Sequence, residues 1–202
     1  MFRTFRLLTL SVLLVTGCAT ELPVAPDQDQ LLPHKTVAFG RTIAVLTGET
    51  SRSYQPRVRF LEIMNRRTLD RFNIEIESDD KMFVLQLQPG EYILTRVQIG
   101  EGPFMSMADY DSSFEVGKEP LTYLGTWRFG IDSPRYGRMM VLSAVSDQQE
   151  ETRAQHALFK QYPTLDGQRM ISALPNPTEA QTRLYEVMPY PRYPTYFRRQ
   201  WW

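Results

Sequence analysis

Two pairs of aspartates are the residues whose type and spacing fit acid–base chemistry. They are Asp79-Asp80, in a Ser-Asp-Asp run, and Asp109 and Asp111, in Asp-Tyr-Asp. Two nearby carboxyl groups are what glycoside hydrolysis uses, without any histidine. Aspartate is also common in turns, where its carboxylate binds neighbouring backbone N–H groups, and both pairs stand beside predicted strands. We interpret both as turns and keep a carboxylate enzyme as the alternative.

Other catalytic and metal-binding patterns find no support in the spacing. The histidines are His34 and His156, and neither has a second histidine or cysteine at metal-ligand spacing. Ser112, Ser113 and Ser143 lack the Gly-x-Ser-x-Gly context of an activated serine and have no evident histidine partner. We therefore expect no cofactor and no bound metal.

Cys18 is the single cysteine of the chain, and it follows a short apolar segment. Arg3 and Arg6 precede an apolar run from Leu7 to Val15. This run is far shorter than the roughly 20 residues of a membrane-spanning helix. A positive start, a short apolar core and small residues before a cut site are typical of a signal peptide, which we assign to residues 1–17.

The end of that segment, Val15-Thr16-Gly17-Cys18, resembles the lipobox of bacterial lipoproteins. In that family the cysteine thiol is acylated, the bond before it is cut, and the new amino group is acylated too. The resemblance implies that Cys18 anchors the chain, since two or more acyl chains hold a protein stably on a bilayer. Ala19-Thr20 follows, without an aspartate that would favour the inner membrane, so the resemblance implies the periplasmic face of the outer membrane. A plain secretory signal with an incidental cysteine is the alternative.

Charge and composition narrow the class further. The chain has 23 Lys+Arg and 23 Asp+Glu, so loss of Arg3 and Arg6 leaves 21 basic against 23 acidic residues. This balance does not favour a nucleic-acid-binding protein. Lipidation would leave no cysteine for a disulfide, so packing must stabilise the fold, which the length allows.

From residue 36 to 147 the pattern is that of β-strands. In 71–78, Phe72, Ile74 and Ile76 alternate with polar residues, which is the period of a half-buried strand. Pro89-Gly90 separates two apolar runs and favours a type II turn, so we predict a β-hairpin or tight strand connection there. Further strands are predicted within 36–48, 57–65, 112–131 and 138–147.

The segment 121–131 carries large apolar side chains at odd positions, with Gly125 interrupting, so we expect them to line one face of a long strand. They are Leu121, Tyr123, Trp127, Phe129 and Ile131. In all, roughly seven to nine strands without intervening helices favour an antiparallel β-sandwich.

Helical spacing begins only after Ser146. Asp147 and Glu150 resemble a capping box, and 148–162 predicts an amphipathic helix that ends at Pro163. Pro177 and Thr178 suit the start of a second, short helix that reaches Val187.

The runs 85–97 and 114–129 resemble a recurring module of bacterial envelope lipoproteins. There, a Leu-x-Pro-Gly-x-Tyr turn and an aromatic strand precede Phe-x-Val-x-x-Gly-x-x-x-Tyr-Leu-Gly. Such domains are similar to transthyretin-like or carboxypeptidase-regulatory-like β-sandwiches, including the PEGA type. The resemblance covers about residues 80–130 and departs around Gly117, where Glu119-Pro120 is inserted. It implies a fold, and most members of the group have no assigned activity.

The segment 188–202 combines proline, aromatic residues and arginine. Its prolines exclude helix and central strand and favour an extended, polyproline-like segment. Because Tyr, Trp and Arg are enriched in interface hot spots, we predict that this tail binds a partner. The candidate residues are Tyr190, Tyr193, Tyr196, Phe197, Arg198, Arg199, Trp201 and Trp202. Packing on the chain's own domain and contact with lipid head groups are the alternatives.

Together these features predict a monomeric, mainly β lipoprotein. Its parts are a signal peptide (1–17), a lipidated tether (18–35), a β-sandwich (36–147), a helical extension (148–187) and the tail (188–202). We expect it to bind the membrane through Cys18 and to act by binding an envelope protein, as an accessory or assembly factor, with no catalysis and no nucleic acid. The alternatives are the carboxylate enzyme, acting on envelope glycan, and a lipid or small-ligand carrier with a cavity between its sheets.

Overall fold

Two β-sheets packed face to face form the body of the protein in the computed structural model, which describes residues 20–22, 31–32, 34–47, 54–76, 82–132 and 137–187. The strands are β1 (Thr20–Leu22), β2 (Thr36–Thr47), β3 (Arg57–Asn65), β4 (Arg71–Glu75), β5 (Met82–Leu87), β6 (Gly90–Glu101), β7 (Phe104–Val116), β8 (Leu121–Asp132), β9 (Met139–Val145), β10 (Met170–Ser172), β11 (Glu179–Arg183) and β12 (Tyr185–Val187). A helix, α1 (Gln148–Gln161), and a 3-10 turn (Pro163–Leu165) follow β9.

The strand order confirms the predicted sandwich. Sheet A runs β1-β4-β3-β6-β7-β12, and sheet B runs β11-β9-β8-β2-β5, with β10 paired to β8 beside β9. Most neighbours are antiparallel, although β2 pairs with β8 in parallel. Residues 36–147 contain eight described strands, β2 to β9, within the predicted range, and four short strands outside this segment, β1, β10, β11 and β12, add to the sheets.

Large apolar side chains fill the space between the sheets. Trp127 of β8 lies between Phe83 of β5 and Phe114 of β7, with ring centroids 5.4 and 5.6 Å apart. Its indole N–H donates to the carbonyl of Leu124 at 2.8 Å, so the one polar atom of the ring is satisfied inside the core. A carrier would need this same space for its ligand.

A second apolar cluster lies on the outer face of sheet B, beneath α1. Phe39 and Tyr123 from the sheet pack with Leu158 and Tyr162 from the helical region. The helix begins where predicted, because the Asp147 side chain accepts from the Glu150 backbone N–H at 2.8 Å. Within the described part of the chain, no helix is long and apolar enough to span a bilayer.

The expectation that the odd positions of 121–131 share one face is wrong. Tyr123 belongs to the cluster under α1, whereas Trp127 lies between the sheets. The pairing of β2 with β8 shifts here, so that Leu124 and Gly125 together oppose Gly40. Gly125 adopts a φ of +81°, and this bulge reverses the side-chain alternation.

The Pro89-Gly90 turn makes a tight connection but no hairpin. The strand before it, β5, pairs with β2 in sheet B, and the strand after it, β6, pairs with β3 and β7 in sheet A. The turn therefore carries the chain from one sheet to the other.

The predicted second helix at 178–187 is wrong, because this segment forms β11 and β12. β11 pairs with β9 at the edge of sheet B, and β12 pairs with β7 at the edge of sheet A. Leu184, between them, is buried in the core. Free strand edges offer a full set of hydrogen bonds, and that outweighs a weak local helix signal.

The segment 18–35, predicted as a tether, lies partly on the domain. Thr20–Leu22 form β1, which pairs in parallel with β4 and starts opposite Phe72. Further along, Leu31 packs against the cluster under α1, and the Leu32 N–H donates to the Gln86 side chain at 2.9 Å. Cys18 itself lies outside the described residues.

Candidate binding surface

The outer face of sheet A carries a row of charged side chains. Side chains directly opposite one another on neighbouring strands share a face of the sheet. Glu62 of β3 lies opposite Arg96 of β6, and Arg96 lies opposite Asp109 of β7. Sheet B, by contrast, has α1 packed on its outer face.

The row is continuous across five strands, and we call it the ion ladder. Arg71 of β4 contacts Glu62 at 3.4 Å, and Arg96 contacts the same carboxylate at 3.9 Å. Arg96 also donates from Nε to Asp109 at 3.0 Å. Tyr185 of β12 completes the row by donating its hydroxyl proton to Asp109 at 3.2 Å.

A bulge in β6 places Arg96 in this row. The pairing of β3 with β6 shifts between Glu62 and Ile63, which pair with Arg96 and Leu94, so Thr95 is the extra residue. The Thr95 hydroxyl lies 2.7 Å from a Glu62 carboxylate oxygen and holds that side chain in the row. Beside Glu62 in register, the Asn73 Oδ1 is buried and has no hydrogen-bond partner among the described residues.

Two residues of the ladder, Arg96 and Tyr185, have raised pKa values. The hydrogen bond to Asp109 is the main cause that raises the pKa of Arg96. Burial, followed by the charge of Asp109, raises the pKa of Tyr185 above its ordinary value. At neutral pH Arg96 therefore stays charged and Tyr185 stays a hydrogen-bond donor.

We expect the substitution Asp109→Asn to lower the pKa of Tyr185, because it removes a negative charge that disfavours the phenolate. Arg96→Gln should raise the same pKa, because the positive charge of Arg96 favours the phenolate. NMR of ring-labelled tyrosine between about pH 8 and 12 measures both shifts, since an ordinary tyrosine titrates near pH 10. Shifts in the same direction would contradict the ladder.

Of the four candidate aspartates, the two within the described residues do not lie in a turn. Asp109 and Asp111 lie inside β7, with exposed side chains that alternate with buried neighbours. That placement corrects the turn interpretation, because the polar half of the strand faces outward. Asp79 and Asp80 lie outside the described residues.

The other sequence candidates stay apart from the ladder. His34 and His156 are exposed, the latter on α1 beside Lys160. Among the described residues, no three His, Cys, Asp or Glu side chains group as a metal site would require. The tail residues, Tyr190 to Trp202, and Cys18 fall outside the described part, so their proposed roles remain predictions.

Glu62, Arg96 and Tyr185 were missed from the sequence, although one signal was available. The apolar residues of β6 stand at 92, 93, 94, 97 and 99, and the step of three from Leu94 to Val97 marks the bulge at Thr95. Burial of Glu62 has no local signal, because it depends on side chains from β4 and β6.

The ends of the visible chain border this surface. β1 lies at one edge of sheet A and β12 at the other. β1 starts level with Leu94, in the middle of β6, whereas β12 finishes beside Met105, near the β6–β7 turn. No family model, curated protein or solved structure matches the chain.

Proposed function

We propose that the protein is an outer-membrane lipoprotein, anchored through Cys18, that binds another envelope protein as an accessory or assembly factor. The observation that carries this proposal is the placement of the ion ladder. It lies on the outer face of the sheet whose two edge strands follow Cys18 and precede the aromatic tail. The strands next in sequence to the proposed anchor and to the tail thus flank the charged surface.

The composition of the ladder supports binding rather than catalysis. Each of its carboxylates contacts an arginine: Glu62 contacts Arg71 and Arg96, and Asp109 contacts Arg96. A glycosidase instead needs two carboxyl groups across a reacting bond, one of which holds a proton. Fixed, alternating charges on an exposed face suit a partner of complementary charge pattern.

Further exposed aromatic side chains lie at the end of the sheet where β12 finishes. Tyr185 is 40% exposed, and Phe104, which pairs with Glu101 and so shares the opposite face of the sheet with it, is 51% exposed. Tyr54 is 48% exposed and packs against Gly102 in the same turn. Exposed tyrosine and arginine together are typical of interface hot spots.

Crosslinking in intact cells, followed by a pull-down, tests the proposal. The full chain is compared with a truncation after Val187 and with Asp109→Arg, which reverses one charge of the ladder. The matched control is Arg153→Glu, an exposed charge reversal on α1. We expect a crosslinked envelope protein that at least one of the two variants loses and the control retains.

Equal abundance, folding and membrane retention of the four forms are required for this comparison. A partner list that neither variant changes would contradict binding through this surface and the tail. If no form captures a partner, the carboxylate enzyme becomes the better hypothesis, and hydrolysis of envelope glycan is the assay that decides it.

A further inference from the structure

We propose that the β3–β4 turn, residues 66–70, lies against the lipid head groups and so fixes which end of the sandwich faces the bilayer. This inference rests on the proposed acylation of Cys18. It adds an interaction surface on the domain itself, with an anionic lipid surface as its partner.

The short link between Cys18 and β1 carries the first step. Only Ala19 separates Cys18 from Thr20, the first residue of β1. Because consecutive Cα atoms are about 3.8 Å apart, Cys18 lies at most about 7.6 Å from Thr20. Acyl chains on Cys18 therefore hold this corner of sheet A close to the bilayer.

The direction of β1 carries the second step. β1 runs parallel to β4, and its first residue, Thr20, lies opposite Phe72. The turn 66–70 immediately precedes β4, so it occupies the end of the sheet from which Cys18 is reached. Thr20 thus lies two residues along the sheet from Asp70, the last residue of the turn.

The turn presents an apolar side chain in an unusual backbone conformation. Leu69 is 65% exposed and has a φ of +62°. The positive φ is strained in any solvent, whereas the exposed leucine surface is unfavourable specifically in water. Insertion at the level of the lipid head groups would remove the leucine from water.

Asn65 holds the turn in this shape. Its side-chain oxygen accepts from the backbone N–H groups of Arg67 and Thr68, both at 3.0 Å. Its carbonyl accepts from the Leu69 N–H at 2.8 Å. The turn is thus preorganised, and Leu69 points outward without further ordering.

The charges around Leu69 suit phosphate groups. Arg66, Arg67 and Arg71 flank it, while Glu91 pairs with Arg66, and Asp70 accepts from Thr68. Arg67 makes no ion pair within the described residues and is exposed, so its guanidinium is available for a lipid phosphate. Basic residues beside an inserted apolar side chain are typical of peripheral membrane contacts.

The same geometry places the end of β12 far from the proposed lipid contact. Across the sheet, Thr20 is level with Leu94 of β6, and Val187 is level with Gly100. Six residues of β6 at about 3.3 Å each separate these levels by about 20 Å. β12 therefore ends on the far side of the sheet from the proposed lipid contact.

Site-specific fluorescence on the acylated, mature protein tests the inference. An acylated Cys18 has no free thiol, so a new cysteine is the single labelling site. Leu69→Cys places an environment-sensitive dye in the turn, and Phe104→Cys is the control at the opposite, exposed end. The vesicles contain phosphatidylethanolamine, phosphatidylglycerol and a lipid with a head-group quencher.

We expect quenching at position 69 to exceed that at position 104 by severalfold. Thr68→Cys provides a second label in the turn should Leu69→Cys fold poorly. Equal quenching at both ends, or stronger quenching at 104, would overturn the inference. The mass of the amino-terminal peptide is measured alongside: acylated protein with an unquenched turn removes only this inference, whereas missing acylation removes the proposed anchor as well.

Discussion

Replacing Arg138 by methionine is expected to lower the free energy of unfolding by about 3–5 kcal/mol. Arg138 donates from both terminal nitrogens to Glu101, at 2.6 and 3.0 Å, and from Nε to the Asp132 carbonyl at 3.0 Å. The side chains of this pair are only 4% and 2% exposed. Without the arginine, the Glu101 carboxylate stays buried and loses its bidentate partner.

Urea unfolding followed by circular dichroism measures this loss. The double variant Arg138→Met, Glu101→Met should recover much of it, because it removes both charges and leaves apolar groups of similar volume. Arg153→Met breaks an exposed pair on α1 and should cost less than about 1 kcal/mol. A single variant as stable as the wild type would show that the pair does not join the two sheets energetically.

The substitution Gly125→Ala is expected to cost about 3 kcal/mol, since a left-handed residue loses about 1–2 kcal/mol and overpacking adds about 1–3. Gly125 has a φ of +81°. An added Cβ would lie 2.5 Å from the Leu174 Cδ2 and 2.9 Å from the Val145 carbonyl oxygen. The leucine can rotate, but the backbone carbonyl must shift and strain the pairing of β8 with β9.

Gly137→Ala separates the two contributions. Gly137 also has a positive φ, of +66°, but an added Cβ there meets nothing within 4 Å. Its cost should therefore be the backbone contribution alone, about 1–2 kcal/mol by the same denaturation assay. If Gly125→Ala costs no more than Gly137→Ala, close packing around the bulge does not stabilise the fold.

The strands could be predicted because their pattern is local. Arg57–Asn65 form β3 with the predicted boundaries, and the alternation of Phe72, Asn73 and Ile74 correctly gave β4. In a half-buried strand, apolar and polar residues alternate along the sequence, so the strand can be recognised without knowing which strand pairs with it.

The wrong predictions share a cause, because the true structure of each segment depends on pairing with a strand that is distant in the sequence. The alternation of β8 reverses at Gly125, where the pairing with β2 shifts opposite Gly40. Similarly, 178–187 has acceptable local helix signals, but the edges of β7 and β9 pair with it instead. Neither partner is visible in the segment itself.

The candidate surface was predictable only in part. Asp109 was selected for its carboxylate, and its true neighbours, Arg96 and Tyr185, come from other strands. The buried ion pair joins Glu101 and Arg138, which are 37 residues apart, and the residues next to each of them give no sign that it is buried and paired. Sequence periodicity locates faces, whereas charge partners require the register between strands.

The segment 170–187 is synthesised late, yet strands in both sheets depend on it for pairing. It pairs with β8 through β10, bridges Ser113 through Asn176, and then supplies the outer neighbours of both β9 and β7. Until these late residues emerge, the edges of β7 and β9 lack those partners and can pair wrongly with other chains. If the chain is exported from its amino terminus, as proposed, this side of the sandwich is completed last, and a factor that holds the chain unfolded during export would act most strongly on these two edges.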